Sequence, residues 1–200
     1  MILGESFYRR ATERVASDLI GCLLVRILYV GGKKQRLAGI IVETEAYGHA
    51  DDPASHACRG MTRRNEVMFG RVGRAYVYFM YGSHHCLNVS ARSLKAIAGA
   101  VLIRGIEPVE GIEEMGMFRQ IADPRLLASG PGRLTQAMQI TLAHNGLDMT
   151  DPGSVMCILR GPKRDVISTA RIGITRAAER PWRFIDPLSP FVSRKARSYS

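Results

Sequence analysis

Residues Ile40 to Tyr47, IIVETEAY, set two carboxylates and a phenol into an otherwise apolar strand pattern, and this constrains the fold more than any other feature. An extended chain alternates its faces, so Glu43, Glu45 and Tyr47 share one side while Val42, Thr44 and Ala46 share the other. Burying an unpaired carboxylate is costly, so such a strand needs a reason to carry two. Either arginines neutralise the pair, or the pair lines a cleft where a base is wanted. A second segment, Ala75 to Val89 (AYVYFMYGSHHCLNV), is rich enough in aromatics to favour the cleft.

The rest of the chain reads as hairpins with helices beside them. Apolar residues at helical spacing (Phe7, Ala11, Val15, Leu19, Ile20, Leu23) predict a helix over Ser6 to Leu24. Leu23 to Tyr29 and Leu37 to Thr44 read as strands of a hairpin turning around Gly31-Gly32-Lys33-Lys34. Gly48 to Arg74 is a long polar stretch, too long for an idle connection and so a functional-loop candidate. Tyr76 to Met80 and Cys86 to Ser90 pair around Tyr81-Gly82-Ser83, and Gly99 to Gly105 is a further strand. Helices are expected over Val109 to Gln120 and, after Ser129-Gly130-Pro131-Gly132, over Arg133 to Ala143. Val155 to Leu159 and Ile172 to Thr175 read as short strands, and Pro181 to Phe184 leads into an irregular end with a basic tail, Arg194 to Arg197. Strands grouped as hairpins predict an α+β fold with a mainly antiparallel sheet, in one domain over residues 1–200.

Composition narrows the partners. The formal net charge is +10, and of 28 basic residues 23 are Arg and five are Lys. Guanidinium forks suit phosphate, so the excess favours a polyanionic partner, although a generally basic surface accounts for the same count. Cys22, Cys58, Cys86 and Cys157 form no Cys-x-x-Cys and are expected as reduced core residues. No apolar run reaches the roughly 18 residues of a membrane span. The opening residues lack the long apolar stretch of a signal peptide, so a cytoplasmic protein is expected.

Taken in order, these segments resemble the alkyladenine (3-methyladenine) DNA glycosylase family. The resemblance rests on Ile41 to Gly60, Arg64 to Gly70, Ala75 to Asn88, Val101 to Gly111, Ser129 to Ile140, Arg171 to Gly173, Arg183-Phe184 and Ser189 to Ser193. It implies a curved sheet with flanking helices and a protruding β-hairpin, and a monomeric, nucleoid-associated, bacterial-type enzyme without cofactor or metal. Glu45 matches the catalytic carboxylate, which in a hydrolysis of an N-glycosidic bond would activate water and stabilise oxocarbenium-like charge. Arg104 matches an arginine that helps hold the attacking water and the backbone phosphate. Tyr47, His56 and Tyr78 match residues around the flipped base, and Asn88 matches the amide that excludes the amino group of normal guanine. Tyr81, at the hairpin turn, matches the intercalating tyrosine. Arg63, Arg64, Gly132 and Arg133 are candidates for grip on the DNA backbone. Tyr76 and Phe79 read as plain strand residues, and Glu43 as a structural neighbour of Glu45. Thr62-Arg63-Arg64-Asn65 lacks the proline usual before the matching Arg, Ser83 replaces a common Met, and His84-His85 adds imidazoles at the hairpin.

The implied activity is removal of alkylated or deaminated purines (the 3-methyladenine, 7-methylguanine, hypoxanthine and ethenoadenine class) from double-stranded DNA. No Lys lies between Lys34 and Lys95, across the catalytic strand, loop and hairpin, so a Schiff-base lyase step lacks its amine. Two other readings stay open on the residues alone. One is a nucleic-acid-binding module stacking bases on Tyr76, Tyr78 and Phe79. The other is a metal hydrolase using Glu43, Glu45, Asp51, Asp52 and His56, whose spacing resembles no common site.

Overall fold

A computed structural model describes residues 1–80, 82 and 84–194. The short helices α1 (Glu5–Tyr8) and α2 (Thr12–Asp18) open the chain. Two strands follow, β1 (Leu23–Val30) and the long β2 (Lys33–Tyr47). The hairpin strands β3 (Ala75–Met80) and β4 (His84–Ser90) lead to β5 (Ala100–Glu110). Helices α3 (Ile112–Arg119), α4 (Pro124–Leu127) and α5 (Pro131–Ala137) precede three short strands, β6 (Met156–Leu159), β7 (Ile167–Thr169) and β8 (Arg183–Ile185). All strand pairs are antiparallel, in the order β3-β4-β5-β2-β1-β6, with β8 and then β7 on the edge of β2 that β1 leaves. The fold is α+β, a single domain built on a curled antiparallel sheet. No described helix is long and apolar enough to cross a membrane.

Several elements differ from the sequence expectation, each for a local reason. The first helix is two pieces, because Ala11 is extended (ψ 134°) and Arg10 Nε binds the Phe7 carbonyl at 2.7 Å. The turn of the first hairpin is only Gly31-Gly32, both at positive φ (55° and 78°), the conformation that suits a two-residue loop. The strand β5 runs on to Glu110 against Ala38, so α3 starts later than expected, after Gly111 at φ 71°. The helix α5 stops six residues early, where Gln139 turns left-handed. Residues Ile172 to Thr175 are not a strand, since Gly173 at φ 76° leaves extended geometry. Phe184, expected at an irregular end, lies within β8.

The sheet separates two environments. One face carries Ala46, Ala75, Val77, Leu87, Val89, Val101 and Ile103, which pack with Val15, Ala16 and Leu19 of α2 and with Leu134 and Ala137 of α5 into the main core. Thr44 on this face donates its hydroxyl to Ala16 O at 2.8 Å. Each large aliphatic side chain buried here contributes about 1.5–3 kcal/mol. The opposite face carries Tyr76, Tyr78, Asn88, Ala100, Leu102, Glu45 and Tyr47, and the 48–74 segment roofs it, packing Ala57 and Met68 against Tyr76 and Ala100. Beyond Asn88, β4 leaves β5, so the far half of the β3–β4 hairpin projects past the sheet, where α5 covers it.

Candidate active site

A cross-strand row organises the second face. Tyr76 on β3 lies opposite Asn88 on β4, Asn88 opposite Leu102 on β5, Leu102 opposite Glu45 on β2, and Glu45 opposite Arg183 on β8. Directly opposed residues in antiparallel strands project to the same face, so five distant segments meet here. The β2–β5 ladder is irregular between Ile41 and Thr44, and Arg104 is the residue of β5 left between the pairs Glu43↔Gly105 and Thr44↔Ile103. Such bulges re-aim side chains beside functional sites. Here the bulge sits where Arg104 reaches both carboxylates.

Glu43 and Glu45 are both fully buried. Arg104 Nε donates to Glu43 at 2.9 Å, and its Nη1 to Glu45 Oε2 at 3.4 Å. Glu43 further accepts from Arg183 Nε at 2.7 Å, from the Ser193 amide at 2.6 Å and from the Ser193 hydroxyl at 2.9 Å. Glu45 accepts from Tyr47 Oη at 2.8 Å and from the Ile172 amide at 2.7 Å. These surroundings drive the two carboxyls apart. For Glu43, burial pushes the pKa up, but Arg104, Arg183 and the Ser193 amide together outweigh it and hold the group below its ordinary range. For Glu45, burial is again the largest influence; Arg104, the Ile172 amide and Tyr47 do not offset it, and Glu43 adds repulsion, so the pKa is raised. Two acids pushed apart in this way differ as bases: Glu43 favours its ionised form, and Glu45 is the more basic of the two.

In front of Glu45 lies a cavity of about 370 Å³, within the usual range for small-ligand sites. Its floor is Tyr76, Tyr78, Cys86, Asn88, Leu102 and Arg104; Tyr47, His56, Met68 and Met80 form walls, and Pro131 and Ile172 close the rest. The structure thus brings Tyr47, His56, Tyr78, Asn88 and Arg104 to one cavity, with Glu45 behind Tyr47, Arg104 and Ile172. Asn88 is anchored by Nδ2 donating to Tyr76 O at 3.0 Å. Burial raises the phenols of Tyr47 and Tyr78 above their ordinary pKa, and that of Tyr76 to about 12, so the walls are neutral hydroxyls. His56 Nδ1 lies 2.9 Å from Tyr76 Oη, and its ring meets Tyr78 edge-on at 4.7 Å. Burial and the nearby Arg64 lower the His56 pKa, which favours neutral imidazole. A larger, open trough of about 860 Å³ lies beside α2, lined by Arg10, Arg14 and Lys163, but it gathers none of these groups.

The backbone-grip candidates are placed less closely. Arg63, Arg64 and Arg133 are exposed; the Arg64 guanidinium lies 5.2 Å from the Tyr78 ring centre, and Arg133 reaches Ser129 Oγ at 3.3 Å. Gly132 lets α5 approach the hairpin, since a Cβ there would come within 3.0 Å of His84. Of the other loop arginines, Arg71 faces Glu5 at 3.6 Å and Arg74 faces Asp148 at 3.0 Å. Tyr81 and Ser83 lie outside the described residues.

Sequence reasoning missed the place of four residues here. Tyr76 is a cavity residue as well as a strand residue, and period two from Tyr78 carries the signal that finds it. Asn65, buried in the loop, binds His56 O at 2.8 Å, Gly60 O at 3.0 Å and the Thr62 amide at 2.6 Å; nothing in the sequence distinguishes it. Arg171, covered by the resemblance without a role, and Asp52, named only in the metal-hydrolase reading, stand behind the wall as an ion pair. Among the described residues no cluster of three or more His, Cys, Asp or Glu could hold a metal ion. The four cysteines are unpaired thiols; Cys22, Cys86 and Cys157 are buried and Cys58 is half-buried.

Comparison with known proteins supplies the relationship. A family profile described as methylpurine-DNA glycosylase matches residues 6–190. A protein of Carboxydothermus hydrogenoformans named "Putative 3-methyladenine DNA glycosylase" is 47% identical over 98% of this chain and 100% of its own length. A protein of the same name from Methanoculleus marisnigri is 46% identical over 98% of this chain and 100% of its own. Another, from Nitrobacter winogradskyi, is 46% identical over 98% of this chain and 89% of its own. The chain belongs to the methylpurine-DNA glycosylase family, hydrolases that act on N-glycosyl bonds in DNA.

Proposed function

We propose that this chain, as one domain over residues 1–200, excises alkylated or deaminated purines from double-stranded DNA by flipping the nucleotide into the aromatic cavity. The observation that carries this reading is the buried carboxylate pair behind that cavity, in which Arg104 bridges the two while Arg183 and Ser193 further bind Glu43 and the Ile172 amide binds Glu45. Extruding a base costs a few kcal/mol, least for a damaged one, and aromatic walls recover part of that by stacking. A cationic base such as 3-methyladenine gains a further ~2 kcal/mol from a desolvated aromatic face. Water then bonds to C1′ as the C1′–N bond breaks, Glu45 takes the proton, and the purine departs with the bond's electron pair. Arg104, itself fixed by Glu43, holds Glu45 in place, and Asn88 and His56 test the edge of the base. Tyr81 is assigned to fill the vacated stack, and Arg63, Arg64, Gly132 and Arg133 to hold the backbone. No lysine lies between Lys34 and Lys95, so the reaction stops at an abasic site.

The test is single-turnover base release, in EDTA, from duplexes carrying one hypoxanthine or one 7-methylguanine. Glu45→Gln is expected to bind these duplexes as wild type does and to release base about 10²–10⁴-fold more slowly. Wild-type release rates in that variant would sink the assignment.

A further inference from the structure

Behind the cavity wall sits an ion pair that does not itself line the cavity. Arg171 and Asp52 have fully buried side chains and join as a fork, Nη1 to Oδ2 and Nη2 to Oδ1, both at 2.7 Å. Asp52 also accepts the Gly48 amide at 2.9 Å and the Ala54 amide at 3.3 Å, which shapes the start of the loop that carries His56. Arg171 donates on to Ala46 O at 3.0 Å and to Ala177 O at 3.3 Å. Its guanidinium lies 4.8 Å from the Tyr47 ring centre and 5.3 Å from that of Trp182. The next residue, Ile172, donates its amide to Glu45. One side chain thus ties together the end of β2, the 48–56 loop and the 171–177 segment, which form three walls of the cavity.

Stability alone is a poor account of this arrangement. A buried ion pair often contributes no more than well-packed apolar residues of the same volume. Arg171 Nε is also buried without a partner among the described residues, which adds a cost. What the pair supplies and an apolar plug would not is direction: it aims the backbone at 171–172 and the ring of Tyr47.

We propose that the Arg171–Asp52 pair is a positioning device for the reaction, holding the Ile172 amide on Glu45 and the Tyr47 ring at the base cavity. The inference rests on the glycosylase reading of Glu45, but its physical content is separable from it. An amide hydrogen bond favours the ionised carboxylate, so a displaced Ile172 leaves Glu45 easier to protonate. The other charged or titratable groups around Glu45 are Glu43 and Tyr47 on β2, Arg104 on β5, Cys86 on β4, Arg183 on β8 and Arg171 itself, and of these only Tyr47 and Arg171 belong to the device under test.

The experiment compares wild type with Arg171→Lys and Asp52→Asn in the full chain. Lysine keeps the charge but loses the fork, and asparagine keeps the shape but loses the charge. Glu45 is titrated by ¹³C-carboxyl NMR without DNA, its signal assigned by its loss in Glu45→Gln. Single-turnover release is then followed along the acid limb. In both variants the Glu45 titration and the acid limb are expected to move together to higher pH, with roughly tenfold slower release on that limb and little change in lesion-DNA affinity. Variants that melt earlier but keep the Glu45 titration and the acid limb of wild type would reduce the pair to a packing role and overturn the proposal. If Arg171→Lys does not fold, Asp52→Asn alone decides. Absence of base release by wild type would defeat the glycosylase reading, while the carboxyl titration would still judge the positioning.

Discussion

At the scale of single residues, the two glutamates give opposite linkages. The folded pKa of Glu43 lies below the ordinary 4.5, so its contribution is present above that value and is lost as pH falls through the folded pKa. The folded pKa of Glu45 lies above 4.5, so its contribution is present below that value and is lost as pH rises through the folded pKa. The stability of wild type relative to Glu45→Gln is therefore expected to decline as pH rises from acid to neutral, measured by urea denaturation at a series of pH values. Base release should do the reverse and rise through the same titration, because only ionised Glu45 accepts a proton. Glu43→Gln should be the more damaging change to the fold. It leaves Arg183 buried without its carboxylate and Arg104 with Glu45 alone, at about 3–5 kcal/mol, read as a lower denaturation midpoint. The strand IIVETEAY made this pair legible in the sequence, since buried carboxylates at i and i+2 demand partners. It did not name the partners, because Arg183 lies 140 positions from Glu43 and only the folded sheet brings them together.

At the scale of elements, legibility followed periodicity. Both hairpins announce themselves by strand-forming runs around turn glycines, and period two from Tyr78 separates Tyr76 on the cavity face from Val77 on the core face. The missed elements are those where a single backbone contact outranks the pattern. Ile172 and Ile174 read as strand, yet Gly173 and the amide bond to Glu45 hold them in a loop. The edge strand β3 shows the same principle. Its amide at Val77 faces away from β4 and is satisfied by Asn145 Oδ1 at 2.9 Å, while Ala75 exchanges hydrogen bonds with Gly146 and Leu147. An unpaired edge invites pairing with other chains, so this cover also protects the strand that carries Tyr76 and Tyr78. Asn145→Ala should cost about 0.5–1.5 kcal/mol, with faster amide exchange at Val77 and little change at the β2–β5 ladder. Uniformly faster exchange would mean that Asn145 supports the whole sheet rather than this edge.

At the scale of the whole molecule, the net charge of +10 is a statement about association rather than fold. The structure divides the arginines. Arg71 and Arg74 of the cavity loop face Glu5 and Asp148, whereas Arg63 and Arg64 on the same loop, and Arg133 at the start of α5, are exposed, with Arg64 beside the Tyr78 ring. If that exposed set holds DNA, each phosphate it neutralises adds about −0.9 to the slope of log K against log salt. Arg63→Gln and Arg133→Gln are each expected to weaken binding to any duplex and to reduce the slope by about 1. Arg74→Gln, removing a charge already balanced by Asp148, should reduce it less. Fluorescence anisotropy with an undamaged duplex over a salt series measures all three. An equal drop for Arg74→Gln would make the attraction a property of total charge, with no preferred face. A drop confined to the exposed set would fix the side of the molecule on which the duplex lies, the side where Arg64 stands beside the Tyr78 ring of the cavity.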